Sequence, residues 1–286
     1  MPEKVAVDEH MNTPLVASFT SDRQDAVGSH RRLVWRTIVN LRTSFIWAWL
    51  DTKCQYRRSK VGPLWETINV AVMIAAISLV SSGLFGGNMQ DLVGYIGLGL
   101  IIWSAIAGIV LDGCGTFVRN ASHILASNIS VDLYVGRTLF KTFITFGHHI
   151  ILYIVGLALG LIPLTWMSLL SIPGIALLIV NGFWIVIVLA FICARFRDVE
   201  LIMRNLLQIA FLVTPVFWNY QQIASSQRFM VDYNVLFHFI QIIRLPLLGE
   251  VPPGRTYLIV IATTVLGYVV AAGVYYRMRR RLAFFV

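Results

Sequence analysis

The sequence predicts an all-α polytopic membrane protein, and three observations carry that reading. Six apolar stretches run through the 286 residues, each about 18–25 residues long, enough to cross a ~30 Å hydrocarbon core as a helix. Only 13% of residues are charged, about half of what a soluble domain carries. The positive charges are also segregated: 20 of the 23 Lys and Arg fall in alternate segments between the stretches. Those segments are the N-terminal region from Lys4 to Lys60, a loop with Arg119, Arg137 and Lys141, a shorter one with Arg195, Arg197 and Arg204, and the tail Arg277–Arg281. By the positive-inside rule, both termini and these two loops face the cytoplasm.

Residues 1–30 read as a flexible cytoplasmic arm, polar and without sustained periodicity, and they lack the apolar run of a signal peptide. From about 31 to 56, Leu33, Val34, Ile38, Leu41, Phe45, Ile46 and Trp49 recur at helical spacing, with Arg32, Arg36, Arg42 and Lys53 between them. This predicts an amphipathic helix in the membrane interface, or one packed on another subunit. The spans are placed at about 64–85, 93–115, 138–160, 169–193, 200–219 and 256–276. Gly62-Pro63 breaks the chain before the first, and Gly86-Gly87-Asn88 turns between the first and second. The connection 119–137 is polar, with a short helix expected around 122–126.

The segment from about 221 to 250 is too long for a turn and too polar to span, yet holds an apolar run from Val235 to Leu248. An odd number of crossings would strand the basic tail outside. The segment is therefore expected to form re-entrant helices on the outer, periplasmic side, which are tolerated only against protein or a water-filled cavity. Arg244 lies there against the charge bias and needs a partner, with Asp232, Glu250 or a pore exit as the options.

Other signals are weaker. The net charge of +9 is accounted for by orientation and anionic lipid, so nucleic-acid binding is not expected. Cys54, Cys114 and Cys193 have no metal-like spacing. His148 and His149 sit mid-span, and buried ionisable groups are functional candidates. With Asp112 and Glu66 near span ends rather than central, hydrogen bonding between helices fits them better than a proton relay. Tyr95, Trp103, Phe211, Phe217 and Trp218 suit an interfacial belt or a stacking surface for sugar rings. Gly156 and Gly160 form a GxxxG, a possible close helix approach. No phosphate-binding GxxxxGK[ST] loop occurs, so ATP hydrolysis would need a separate subunit.

Several short motifs occur in order: Tyr56-Arg57-Arg58-Ser59-Lys60-Val61-Gly62-Pro63-Leu64-Trp65, Arg195-Phe196-Arg197-Asp198, Thr214-Pro215-Val216-Phe217-Trp218, Asn234-Val235-Leu236-Phe237-His238, Arg244-Leu245-Pro246-Leu247-Leu248-Gly249 and Arg279-Arg280-Arg281. On these the region 31–286 resembles the membrane subunit of ABC-2 type exporters, specifically Wzm-like O-antigen and polysaccharide permeases. The family's frequent Asn-Pro is Asn234-Val235 here, and the Pro before the third span is missing. The resemblance implies a homodimeric permease in the bacterial inner membrane with two ATPase subunits beneath it. The chain itself would be no enzyme and hold no cofactor, ATP and Mg being bound by the partner.

The implied cargo is a polysaccharide on an undecaprenyl-diphosphate or similar carrier. Candidates for the substrate path or lipid diphosphate are Arg57, Arg58, Trp65, Tyr95, Trp103, Phe211, Phe217 and Trp218. Coupling to the ATPase falls to Arg32, Arg36, Arg119, Asn120, His123, Arg197 and Asp198, and the outer gate to Asn234, His238 and Arg244. The alternatives are an ABC-2 exporter of a drug, lipid or other small molecule, a membrane scaffold, or a membrane-embedded glycosyltransferase. The last would need an acidic site at a membrane face, and no Asp-x-Asp occurs.

Overall fold

The computed structural model describes residues 30–85, 89–126, 130–220 and 228–286, and among these there is no strand. Residues 1–29 of the predicted arm and the Gly86–Asn88 turn lie outside the described residues, as does 221–227, the first part of the re-entrant segment. The helices are α1 (His30–Gln55), α2 (Leu64–Phe85), α3 (Met89–Gly115), α4 (Ala121–Ala126), α5 (Val131–Ala158), α6 (Ser171–Arg195), α7 (Val199–Val213), α8 (Arg228–Asp232), α9 (Val235–Leu247), α10 (Gly254–Met278) and α11 (Leu282–Phe285).

Five of them, α2, α3, α5, α6 and α10, are long and apolar enough to cross a membrane. The predicted fifth span, 200–219, is realised only in part. Its helix α7 has 15 residues, about 22 Å at 1.5 Å per residue, short of the ~30 Å core. Thr214-Pro215 ends it, because proline supplies no N–H and disfavours helix at the residue before it. The third span begins at Val131, not near 138, so Arg137 and Lys141 lie within α5 rather than in the preceding loop. Arg204 likewise belongs to α7.

The bundle is built around α3, whose membrane-length window is 72% buried, against 17% for α2 and for α10. Exposed apolar side chains cover the outside, as expected where lipid is the solvent. Helix α1 shows the same inversion. Ser44, Ala48 and Thr52, at i, i+4 and i+8, are its buried face. Leu41, Phe45 and Trp49 are exposed. The small face lies against α5, where Ser44 Oγ donates to the Leu133 carbonyl at 3.0 Å and Gly136 leaves room for it.

At the far end from the basic segments, α9 is embedded among α3, α6 and α10, with ten consecutive residues, Phe237–Pro246, buried. Of the predicted GxxxG, Gly156 packs near Ile162, but Gly160 lies beyond the helix at φ +69°. Its N–H donates to the Leu157 carbonyl, and Leu161 N–H donates to that of Gly156. This is a Schellman cap that ends α5, not a helix–helix contact.

Candidate functional site

The predicted candidates fall into four places. At the basic end, Arg57 and Arg58 are exposed between α1 and α2, and Trp65 at the start of α2 is 58% exposed. The adjacent Tyr56 phenol donates to Glu66 Oε1 at 2.9 Å, tying α1 to α2. Partial burial, followed by that bond to a carboxylate, pushes the Tyr56 phenol up to about 12. A raised value favours the protonated, folded form. The tie is fully present below pH 10, the ordinary phenol value, and is lost as pH rises from 10 toward 12. In an alkaline absorbance titration, the difference between wild type and Tyr56→Phe should show one tyrosinate appearing only near pH 12. Its appearance near pH 10 would contradict the geometry.

The coupling candidates divide. Helix α1 includes Arg32 and Arg36, whose side chains lie outside the described residues. Arg119 and Asn120 are used within the chain. Arg119 Nη2 donates to the Asp112 carbonyl and carboxylate at 2.9 and 3.1 Å. Asn120 Oδ1 accepts from Arg137 Nη1 at 2.8 Å. Arg137 also ion-pairs with Asp51 and lies over the Trp47 ring, so it joins α1, α5 and the turn before α4. His123 is exposed on α4, and Arg197 and Asp198 are exposed between α6 and α7.

The aromatic candidates separate into structural and surface groups. Trp103, Phe211 and Phe217 are half-buried and contiguous, with centroids 5.5 and 5.3 Å apart, along the α3–α7 seam. Trp218 Nε1 donates to the Leu212 carbonyl and so caps α7. Tyr95 is no interfacial belt residue, since its ring lies under the Arg244 guanidinium, 3.8 Å from carbon to centroid. Beside this seam, α7 buries only Leu207 and exposes Arg204, Asn205 and Gln208 together with Ile202, Leu206 and Ile209.

All three gate candidates hold α9 in place. Asn234 caps it, accepting from the Leu236 and Phe237 N–H groups and donating to Thr214 Oγ1 at 2.9 Å. His238 Nε2 donates to the Asp232 carbonyl at 3.0 Å, and its Nδ1 accepts from Thr256 at 3.3 Å. Arg244 is 0% exposed and pairs with neither carboxylate proposed from sequence. Asp232 is taken by Arg255 at 3.4 Å. Arg244 instead donates through Nη1 to the Pro215 and Val216 carbonyls at 3.0 and 3.4 Å, and through Nε to Gln241. Those carbonyls lost helical partners when α7 broke, at the depth of Gly99 on α3, where a side chain would strike both the Val216 carbonyl and Arg244. The arginine therefore satisfies irregular backbone where water cannot.

Sequence reasoning did not bring Glu66, Asp112 and His149 together, but the fold does. A cavity of about 300 Å³ lies between α1, α2, α3 and α5 and is lined by all three. Helix α3 contributes Ser104, Gly108 and Asp112, and α5 contributes Lys141, Thr145 and His149. Each set is spaced i, i+4, i+8 on antiparallel neighbours, so two polar stripes face one another. That spacing was visible in the sequence, but the register between the helices was not. A second cavity of about 190 Å³ shares Asp112, Arg119 and Lys141 with the first. Among the described residues no group of His, Cys, Asp or Glu could hold a metal ion, and Cys114 and Cys193 are buried free thiols.

Five membrane-length helices, with α3 the most buried among them, define a polytopic helical membrane protein. No protein-family model matches the chain, and no curated protein sequence matches it significantly.

Proposed function

We propose that this chain is the membrane-spanning half of an exporter, working as a homodimer on two separate ATPase subunits, and that it carries a lipid-linked polysaccharide across the bacterial inner membrane. The observation that carries the reading is the surface of α7. Its exposed Asn205 and Gln208, with Arg204 paired to Glu200 one turn earlier at 3.7 Å, lie on the same helix as Phe211, whose ring packs between Trp103 and Phe217. Polar side chains facing lipid are costly, so this face belongs against a second copy or an aqueous path. A path with hydrogen-bonding groups and aromatic planes suits a hydrophilic polymer of sugar rings.

In this reading α7, the Thr214–Val216 break and the α8–α9 pair together make a sixth crossing, which brings both termini to the cytoplasm as the charge distribution requires. Exposed Arg57 and Arg58 meet the carrier's diphosphate through paired guanidinium donors. The Arg197-Asp198 loop and α4 face the ATPase, which supplies the energy that a chain without a phosphate-binding loop cannot.

The test is deletion of the gene, followed by separate analysis of surface glycan and lipid-linked intermediates. Loss of a surface polymer with accumulation of its lipid-linked form is expected, and complementation with Arg57→Gln/Arg58→Gln should restore insertion but little export. Unchanged surface glycan would overturn the reading in favour of small-molecule export.

A further inference from the structure

The cavity between α1, α2, α3 and α5 contains polar groups with no use inside the protein, and their identities constrain what enters. Ser104 Oγ donates its only proton to the Ile101 carbonyl at 2.7 Å. At 3.1 Å from His149 Nδ1 it therefore acts as the acceptor, and His149 carries its proton on Nδ1. That leaves Nε2 as a bare acceptor. It has no partner, on a side chain that is 2% exposed and lines the cavity. A buried acceptor without a donor costs about 1–3 kcal/mol, so this end calls for a hydroxyl or similar donor.

At the other end, Lys141 lines both cavities. The carboxylates near it are already engaged: Asp112 with Arg119, and Asp51 with Arg137. Among the described residues half-buried Lys141 has neither an ion pair nor a hydrogen bond, and the one carboxylate on the same cavity not committed to another cation is Glu66. Glu66 has given one oxygen to Tyr56 and keeps the other. Tyr56 and Phe146 add ring faces to the wall.

Lys141 and His149 are eight residues apart on one face of α5, about 12 Å along its axis. The required ligand has an anionic group at one end and hydroxyl donors at the other. The volume is twice that of an engineered cavity that holds benzene, and it reaches the lower bound of small-molecule sites. We infer that this cavity is a binding site for a phosphorylated sugar of hexose size, with its phosphate at Lys141 and its hydroxyls at His149 Nε2 and Glu66. The inference does not depend on the export reading. That reading is tested by surface glycan, and this one by ligand binding.

The same chemistry occurs in a free metabolite and in the head of a lipid-linked sugar, so the test has two arms. In the first, purified protein in detergent is titrated calorimetrically with glucose 1-phosphate, and separately with glucose and inorganic phosphate. In the second, protein in nanodiscs is assayed with polyprenyl-phosphate-glucose in the bilayer. Saturable binding of glucose 1-phosphate, at least tenfold tighter than of either fragment and weakened at least tenfold by Lys141→Met, is expected for a soluble ligand. Binding confined to the lipid-linked sugar, with the same dependence on Lys141, assigns the site to a lipid head.

Thr145→Val removes a cavity hydroxyl without changing shape, so it serves as a second variant if Lys141→Met fails to fold. Weaker binding by Thr145→Val supports the site. Absence of binding in both arms, or binding indifferent to both substitutions, overturns it and leaves a cavity filled with water.

Discussion

Replacing Arg244 with methionine is expected to destabilise the protein by about 3 kcal/mol or more, one of the two largest effects of any single change here. Substituting a buried charge with an apolar side chain is often neutral, because the cost of burying the charge disappears with it. Here the partners are not another charge. They are the Pro215 and Val216 carbonyls, stranded by the break after α7, and the Tyr95 ring. Removing the guanidinium leaves two acceptors without donors at membrane depth, each worth about 1–3 kcal/mol, and forfeits a desolvated cation–ring contact worth about 2. Arg244→Lys should fall between, since an ammonium cannot reach both carbonyls while lying flat on a ring. Thermal unfolding in detergent reads the effect. A methionine variant as stable as wild type would show that the carbonyls find other donors.

The second large effect is expected from Gly174→Ala, with a loss of about 2–3 kcal/mol and reduced yield of folded protein. Pro246 lies inside α9 and supplies no N–H, so the Ile242 carbonyl four residues earlier lacks its usual helical partner. Helix α6 crosses α9 there. A β-carbon on Gly174 would sit 2.7 Å from the Ile242 oxygen and 3.1 Å from its carbonyl carbon. Both sides of the contact are backbone, and no flexible side-chain tip can yield. Gly273→Ala on α10 is the control, because a β-carbon there meets nothing within 4 Å. It should be neutral or gain up to about 1 kcal/mol, the usual helical preference for alanine. Equal behaviour of the two variants would contradict the proposed packing.

Much of the architecture was legible from composition and period. The first span was placed at 64–85 and is Leu64–Phe85, and the helix expected at 31–56 is His30–Gln55. These elements are read easily because their ends carry local signals, such as Gly62-Pro63. The fifth stretch, placed at 200–219, runs past the end of its helix Val199–Val213 because hydropathy counts apolar residues regardless of where a proline interrupts them. The start of α5 misled for the opposite reason: Arg137 and Lys141 read as loop charges, but Asp51, Asn120 and a polar cavity accommodate them inside a helix.

The candidate sites followed the same division. Arg57, Arg58, Arg197 and Asp198 lie exposed in connections between helices, as their place in the polar segments of the sequence predicts. Buried polar residues were placed in the right segments but given the wrong partners, Arg244 above all.

The sequence by itself determined the solvent and the elements, because apolar length and the spacing of basic residues are properties of one strand of chain acting against a bilayer. It also held the stripes Ser104/Gly108/Asp112 and Lys141/Thr145/His149, each as a feature of one helix. Only the tertiary structure decided which stripe faces which, and that α9 is buried deep enough for Arg244 to reach the broken end of α7. Those outcomes depend on the register and crossing of helices far apart in the chain. They are set by where glycines such as Gly99 and Gly174 let backbones touch, which no local period records.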